Sequence, residues 1–273
     1  MPFDLAAPVV RHERINPDHF LLTLEAPPIA RAARAGQFIM LQVRDGRDPL
    51  LRRPMSIYRV PPGRRGLLQI LYRVVGEGTR HLARQPPGAS LRALGPLGNG
   101  FLLPSSRGEG HRAGVEHLLV AGGIGIAIFP FLADALLRRR SRPSLLFGAR
   151  TRRDLVALPF FRARRVRAAL ATEDGSAGTK GYVTRILEPV LARPGAGARL
   201  ALYVCGPTPM MRAVSALAAE AGAPCQLALE SQMPCGIGVC LGCVVSSRGE
   251  SGGSVYRRVC TEGPVFDAAQ VAL

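Results

Sequence analysis

Three cysteines spaced C-x4-C-x2-C stand near the end of this 273-residue chain, in Cys235-Gly-Ile-Gly-Val-Cys240-Leu-Gly-Cys243, and a fourth, Cys260, follows downstream. Four thiolates in this pattern match the ligand spacing of a [2Fe–2S] cluster, whose chemistry is the transfer of single electrons. A loop that wraps a cluster must turn successive sulfurs inward while its amides face the inorganic sulfides. Gly236, Gly238 and Gly242 permit this, because glycine reaches positive φ and has no Cβ to keep the backbone away. Two other uses of cysteine stay open at this point. Zinc sites usually pair two short C-x2-C units, whereas only Cys240 and Cys243 are so spaced and Cys260 stands alone. Disulfides suit an oxidising compartment and fit less well with a chain expected to be cytoplasmic.

A second group of residues suits nucleotides. In Leu51-Arg-Arg-Pro-Met-Ser-Ile-Tyr58, Arg53 can pair with a phosphate, Pro54 holds the segment extended and Ser56 can hydrogen-bond an isoalloxazine, so the set fits a flavin nucleotide. An ordinary strand with surface arginines is the plainer reading. Gly76-Glu-Gly-Thr79 ahead of a short helix at 80–84 offers free amides and a cap, a phosphate site or simply a helix start. Further on, a buried strand from Val115 enters Gly122-Gly-Ile-Gly125 and then a helix from Ile126, the opening of a doubly wound α/β domain. The full G-x-G-x-x-G spacing is absent, so this turn alone is a weak nucleotide signal. Later strands also end in turns at Thr172-Glu173-Asp174-Gly and Cys205-Gly206-Pro207. Glu173 and Asp174 would repel a 2′-phosphate and hydrogen-bond ribose hydroxyls, which points to NAD; Arg150, Arg152 and Arg153 nearby argue for NADP. Cys205 is expected to pack as a small buried residue, with a place against a nicotinamide as the other reading.

The elements that must hold these residues divide the chain into three. Short alternating strands at 7–13, 20–25, 36–43 and 67–75, with the turn Asn16-Pro-Asp18 and no long amphipathic helix, predict a small antiparallel β-barrel over 1–103. The β-barrel FAD domain is followed by an α/β doubly wound NAD domain over 104–228, opening on a polar joint at 104–114, with helices near 152–164, 182–192 and 208–221. A small C-terminal [2Fe–2S] domain over 229–273 completes the fold, with a hairpin around a glycine-rich turn at 249–253 returning Cys260 to the other thiols. The loop Gly95-Pro-Leu-Gly-Asn-Gly-Phe101 reads as a turn at the barrel's end.

The net charge of +17 raises the question of nucleic acid, but Lys180 is the sole lysine, the arginines are scattered and aromatics are few. An arginine-rich composition without a nucleic-acid surface is the expectation, with a field that draws anionic nucleotides or an acidic partner. No apolar stretch is long enough to span a bilayer and the start carries no signal pattern, so no membrane association is expected.

Taken together, Arg53-Pro-Met-Ser56, Gly78-Thr79, Gly95 to Phe101, Gly122-Gly-Ile-Gly125, Thr172 to Gly178, Cys205-Gly-Pro207 and Cys235 to Cys243 resemble, over nearly the whole chain, the electron-transfer subunits of class 1B dihydroorotate dehydrogenases. These are ferredoxin-reductase-like iron–sulfur flavoproteins. The resemblance implies FAD contacts at Arg53, Pro54, Met55, Ser56, Leu71, Tyr72, Gly78 and Thr79, and a cluster on Cys235, Cys240, Cys243 and Cys260. It implies NAD contacts around Gly122, Gly123, Gly125, Glu173, Asp174, Cys205, Gly206 and Pro207. It also implies an FMN-containing catalytic subunit that oxidises dihydroorotate, as partner in a heterotetramer serving pyrimidine biosynthesis. A reductase subunit of the NAD(P)H-ferredoxin or hydrogenase type, built from the same modules, is the alternative. One departure is Ile128, where the family carries a proline; Pro130 comes two positions later and shifts the expected helix start. The docking surface is expected on the cluster loop, flanked by Met233.

Overall fold

The computed structural model describes residues 1–273 apart from 45, 47, 48, 64, 65, 104–113 and 250–252. The joint expected at 104–114 therefore lies outside the described residues except for Gly114, as does the middle of the turn expected at 249–253.

The first half is a six-stranded antiparallel sheet of β1 (Phe3–Arg14), β2 (His19–Glu25), β3 (Phe38–Gln42), β4 (Arg53–Ser56), β5 (Leu67–Arg73) and β6 (Ser90–Leu97), in the order β4-β3-β6-β1-β2-β5. Beyond β4 the chain turns onto β5, where Tyr58 N–H donates to Gln69 O at 2.9 Å and Gln69 N–H to Arg59 O at 2.8 Å, so the ring nearly closes. Closure leaves few unpaired strand edges. The β1–β2 turn is set by Asn16, whose Oδ1 accepts from the N–H of Asp18 and of His19, each at 3.0 Å. Two short helices join strands, α1 (Pro27–Ala32) and α2 (Glu77–Ala83). α1 was not expected from sequence, because its six residues are too few to show periodicity, although the two prolines in its first turn suit a helix start. α2 begins three residues earlier than expected. Its first turn is closed by the Thr79 hydroxyl, which accepts from Val75 N–H at 2.9 Å and Gly76 N–H at 3.1 Å.

The second sheet has seven strands in the order β10-β9-β8-β7-β11-β12-β15: β7 (Glu116–Gly122), β8 (Ser144–Ala149), β9 (Arg167–Thr172), β10 (Thr179–Lys180), β11 (Leu200–Cys205), β12 (Cys225–Ala228) and β15 (Val265–Asp267). All pair in parallel except β15, which runs antiparallel to β12. His117 to Gly122 of β7 are all buried, the continuous run expected of a strand covered on both faces. The covering helices are α3 (Phe129–Arg138), α4 (Leu158–Ala163), α5 (Thr184–Leu191), α6 (Ala196–Arg199) and α7 (Thr208–Glu220). The order reverses at β7, with β8 and β9 on one side and β11 and β12 on the other. This is the switch point where such sheets bind ligands.

The C-terminal segment has little regular structure of its own, only the hairpin β13 (Val244–Arg248) and β14 (Ser254–Arg258) ahead of β15. It is not self-contained. β15 completes the nucleotide-domain sheet, and Val259, Cys260 and Phe266 share one buried cluster with Phe38, Met40 and Leu97 of the barrel and with β7 and β11. β15 escaped the sequence reading because its three residues follow a Gly-Pro break without alternation.

Barrel and α/β domain are also joined by charge. Asp134 of α3 accepts from Arg59, beyond β4, at 2.9 Å and from Arg164, beyond α4, at 2.5 Å, and the Arg164 guanidinium lies 3.7 Å from the Phe160 ring centroid. Removing the carboxylate leaves two mostly buried guanidiniums facing each other. Asp134→Ala should therefore destabilise the chain by about 2–3 kcal/mol, seen as a lower urea midpoint, and Asp134→Glu should recover part of the loss.

Candidate functional site

The four predicted cluster thiols come together at the C-terminal end of the molecule, all of them free. They fall into two pairs. Cys235 lies against Cys240, and Cys260 N–H donates to Cys243 Sγ at 3.4 Å. Burial works against a thiolate at Cys235, but the N–H groups of Cys240, Ile237 and Val239 and the neighbouring Cys240 side chain outweigh it and bring the thiol down to about 6. At Cys260, burial and the Cys243 sulfur push the thiol up to about 11. Gly236 and Gly238 take φ of +74° and +83°, which lets the loop curl with its amides inward. Among the described residues, no three His, Cys, Asp or Glu side chains converge on one metal-ion position. Cys235, Cys240, Cys243 and Cys260, with amides turned toward sulfur, would suit a two-iron cluster and its one-electron chemistry.

Cys240 is exposed at the tip, with Ile237, Val239 and Leu241 exposed around it. Met233 is not part of that surface, contrary to expectation. It is 7% exposed and packs in the buried cluster that also holds Cys243, Val259 and Cys260.

The barrel carries the residues expected to meet FAD. Arg53, Pro54 and Ser56 are half-buried on β4, and Met55 points into the core between them. Arg53 donates to the carbonyls of Leu51 and Arg52, and its guanidinium lies on the Cα of Gly78, where any Cβ would collide with it. A guanidinium held at the opening turn of α2 is the arrangement a phosphate group needs. Thr79 and Tyr72 also have partners within the chain. The Thr79 hydroxyl is occupied in closing its own turn. Tyr72 turns inward, stacks on Phe20 with centroids 5.7 Å apart and lies 2.9 Å from His12 Nε2 through its hydroxyl. Leu71 is 5% exposed.

Between barrel and α/β domain opens a cleft of about 680 Å³. Its floor is the pair of glycine turns at the ends of β7 and β11, and the glycines divide by role. A Cβ on Gly122 would meet Met210 Sδ at 2.5 Å and Pro207 Cδ at 2.8 Å, and a Cβ on Gly206 would meet the Cα of Gly122 at 2.9 Å; one on Gly125 would strike the Cys205 carbonyl. These three allow two turns to touch. Gly123, at φ +52° with nothing near its Cβ position, faces open space in the cleft. The chain then makes a 3-10 turn from Gly123 to Ile128 before α3 begins at Phe129 with Pro130 in its first turn, so Ile128 does delay the helix. Cys205 is 3% exposed, and burial with the charge of Glu230 drives its thiol well above the ordinary range.

Glu173 and Arg150 line the cleft together. Asp174 does not line it; its Oδ1 accepts from Ser176 N–H at 2.9 Å and Oγ–H at 2.7 Å, which hold its carboxyl below the usual range. Arg152 is likewise taken, donating to the Ser176 carbonyl at 3.0 Å. Three cleft residues went unnoticed in the sequence. Glu230 lies just past β12, and enclosure by the cleft walls raises its carboxyl. His19 and Arg73 face the cleft from paired positions on β2 and β5. Position was the available signal for Glu230, since strand C-termini line such sites. For the other two it was the register of a hairpin not yet known.

Two family descriptions match the chain: "Iron-sulfur cluster binding domain of dihydroorotate dehydrogenase B" over residues 230–272 and "Oxidoreductase NAD-binding domain" over 119–216. The dihydroorotate dehydrogenase B (NAD(+)) electron transfer subunit of Desulforamulus reducens is 38% identical over 258 residues, 94% of each chain. That of Bacillus caldolyticus is 38% identical over 252 residues, 92% of each. This chain belongs to the electron transfer subunit family of dihydroorotate dehydrogenase B. As a family member it is an NAD-linked oxidoreductase electron transfer subunit. Among solved structures, an NADH-dependent reduced ferredoxin-NADP oxidoreductase matches with TM-score 0.82 at 27% identity, covering 97% of this chain and 89% of that one. A Neisseria gonorrhoeae ferredoxin NADP+ reductase, solved with bound FAD and NADP, shares the fold at TM-score 0.65 and 17% identity, covering 80% and 92%. The fold is thus ferredoxin-reductase-like: a nearly closed six-stranded FAD-type barrel, an NAD-binding domain and an iron–sulfur segment.

The contact between Arg53 and Gly78 carries a test. A methyl group at Gly78 displaces the guanidinium, so Gly78→Ala should weaken flavin retention about tenfold or more, ~1.4 kcal/mol, measured as FAD remaining after gel filtration. Iron content should not change.

Proposed function

We propose that this chain takes electrons from dihydroorotate oxidation in an FMN-containing catalytic subunit and delivers them to NAD+, using FAD and a [2Fe–2S] cluster, in pyrimidine biosynthesis. The observation that carries the reading is the joining, in one chain, of a paired-thiol nest, a barrel with Arg53 on Gly78 and a cleft at the sheet's switch point. When bound, the cluster supplies one-electron steps and the flavin supplies hydride exchange with NAD.

The residues of the chain place and insulate these groups. Cys235, Cys240, Cys243 and Cys260 hold the cluster. Arg53 and the Gly78 amide hold the flavin phosphates, Pro54 keeps β4 extended, and Ser56 meets the ring system with Met55 and Leu71 packed behind. Gly122, Gly125 and Gly206 let the two turns close up beneath the dinucleotide, Gly123 presents its amide, and Pro207 and Cys205 back the nicotinamide end. Glu173 hydrogen-bonds ribose hydroxyls and selects NAD; Asp174 supports it by fixing the turn. The division into 1–103, 104–228 and 229–273 follows these tasks.

The exposed ring of Ile237, Val239 and Leu241 around Cys240 is the docking surface for the catalytic subunit, since an apolar rim excludes water from the shortest route to the cluster. A heterotetramer in the cytoplasm is the assembly this reading expects. The alternative, a reductase subunit serving ferredoxin or a hydrogenase, has the 27% identical oxidoreductase in its support. The 38% identity to dihydroorotate dehydrogenase subunits over a similar length favours the first reading.

Co-purification with the native partner, followed by anaerobic dihydroorotate-dependent NAD+ reduction with FAD and iron quantified, tests the proposal. Activity that requires both chains supports it; a flavin- and iron-loaded complex without that activity moves the function to the alternative. Cys240→Ala should abolish transfer between the chains while leaving NADH oxidation by a dye intact, and loss of both with FAD retained would count against the scheme. Glu173→Ser should shift the NADH to NADPH preference in kcat/KM by about tenfold or more toward NADPH, ~1.4 kcal/mol.

A further inference from the structure

The loop Gly98-Asn99-Gly100, legible in sequence only as a turn, grips the segment that carries the fourth thiol. Asn99 N–H donates to the Gly263 carbonyl at 2.5 Å, and its Nδ2 donates to the carbonyls of Glu262 at 3.0 Å and Thr261 at 3.3 Å. The flanking glycines make the approach possible. At Gly98, with φ +72°, a Cβ would meet Pro264 Cδ at 2.5 Å, and at Gly100 it would strike the Ala35 carbonyl. Gln37 Nε2 fixes the loop from behind, donating to Gly98 O at 2.7 Å.

The gripped residues, 261–263, follow directly on Cys260 and also touch the loop of the first three thiols. Thr261 Cγ2 lies 2.9 Å from the Cβ position of Gly238. Glu262 accepts from Arg258 N–H at 2.8 Å and Nε–H at 3.1 Å, and Arg258 reaches the Gly238 carbonyl at 3.4 Å. On the other side, Asn99 continues β6, which pairs with β3, which pairs with β4, the strand of Arg53 and Ser56. Ladder hydrogen bonds through β3 and β6, the short stretch of chain from Leu97 to Asn99 and the Asn99 bonds thus join the flavin-binding strand to the residue after Cys260.

We propose that Asn99 is a positioning residue whose amide fixes the cluster-bearing segment in register on the barrel and so sets the separation and orientation of cluster and flavin. This rests on the reading that the barrel holds FAD and the thiols a [2Fe–2S] cluster, and not on the identity of the partner. Fold stability has other sources. Asn99 is exposed, and three solvent-facing bonds are a small share of what the β15 ladder and the burial of Val259 and Phe266 provide.

The test uses the full chain loaded with FAD and cluster. Asn99→Asp keeps the shape but replaces both side-chain donors by a carboxylate facing two carbonyls; Asn99→Ser keeps one donor. FAD and iron content, NADH-driven dye reduction at the flavin, the stopped-flow rate at which NADH bleaches the cluster, and deuterium uptake over 258–264 are measured. A variant isolated without iron is first reconstituted anaerobically with ferrous iron and sulfide. Expected for Asn99→Asp are unchanged FAD and dye reduction, faster deuterium uptake and a cluster bleaching rate lower by about tenfold or more, since electron transfer falls steeply as its two centres move apart or turn. Asn99→Ser should lie between. Bleaching and uptake unchanged within about twofold, or dye reduction falling in step with bleaching, would overturn the proposal. Absence of FAD or iron from the unmutated chain would instead defeat the reading beneath it.

Discussion

A loop that wraps an iron–sulfur cluster turns its backbone amides toward sulfur, and the same amides cannot then sit in a ladder. The thiol-bearing loop here has no strand or helix between Cys235 and Cys243, and three of its residues, Gly236, Gly238 and Leu241, stand at positive φ. Its geometry must therefore be imposed by what surrounds it. Three neighbours do so: Met40 and Leu97 of the barrel, which close on Gly236; Asn99, bonded to 261–263; and β12, which takes up β15. They come from β3, from β6 with its continuation at Asn99, and from the neighbouring sheet.

The same reasoning explains where glycine is indispensable. Backbone must approach backbone at the floor of the nucleotide cleft, where Gly125 meets Cys205 and Gly206 meets Gly122, and at the clasp, where Gly98 meets Pro264. These contacts lie between elements distant in sequence, so they fix how substructures sit against one another rather than the path of any single turn. Buried charge does similar work at the other seam, where Asp134 faces two guanidiniums from opposite sides. Such a set contributes little net stability once desolvation is counted, but mispairing it is costly, and that favours one relative placement.

How much of this was legible beforehand follows from the range of each interaction. The four thiols, the β4 segment and the glycine turns announce themselves because their chemistry is written in adjacent residues. So does β7, an apolar run entering a glycine turn. What could not be read is whatever depends on pairing across the chain. That His12 and Phe20 meet the ring of Tyr72 appears only once β1, β2 and β5 are side by side. Asp174 looks like a partner to Glu173 until the turn folds back and Ser176 takes its carboxylate. Met233 looks like a surface residue until it joins the buried cluster that holds Cys243 and Cys260. Asn99, a common turn residue, has no local signal at all, since its partners lie beyond residue 260.

The barrel ends as the reference frame for both of its neighbours, through the same device used twice. At one rim Asn16 donates from Nδ2 to the Arg153 carbonyl at 2.8 Å, tying the β1–β2 turn to the loop that carries Arg150 into the nucleotide cleft. At the other rim Asn99 holds the cluster segment. A side-chain amide suits both places, because it donates to a carbonyl without adding charge near groups that must change charge. Both ties sit beside buried packing. On the dinucleotide side the amide bond and the Asp134 pairings flank a core in which Phe101 packs against Phe129 and Tyr203. The cluster side is held by three bonds to Asn99, by close-packed glycines and by a strand built into the neighbouring sheet.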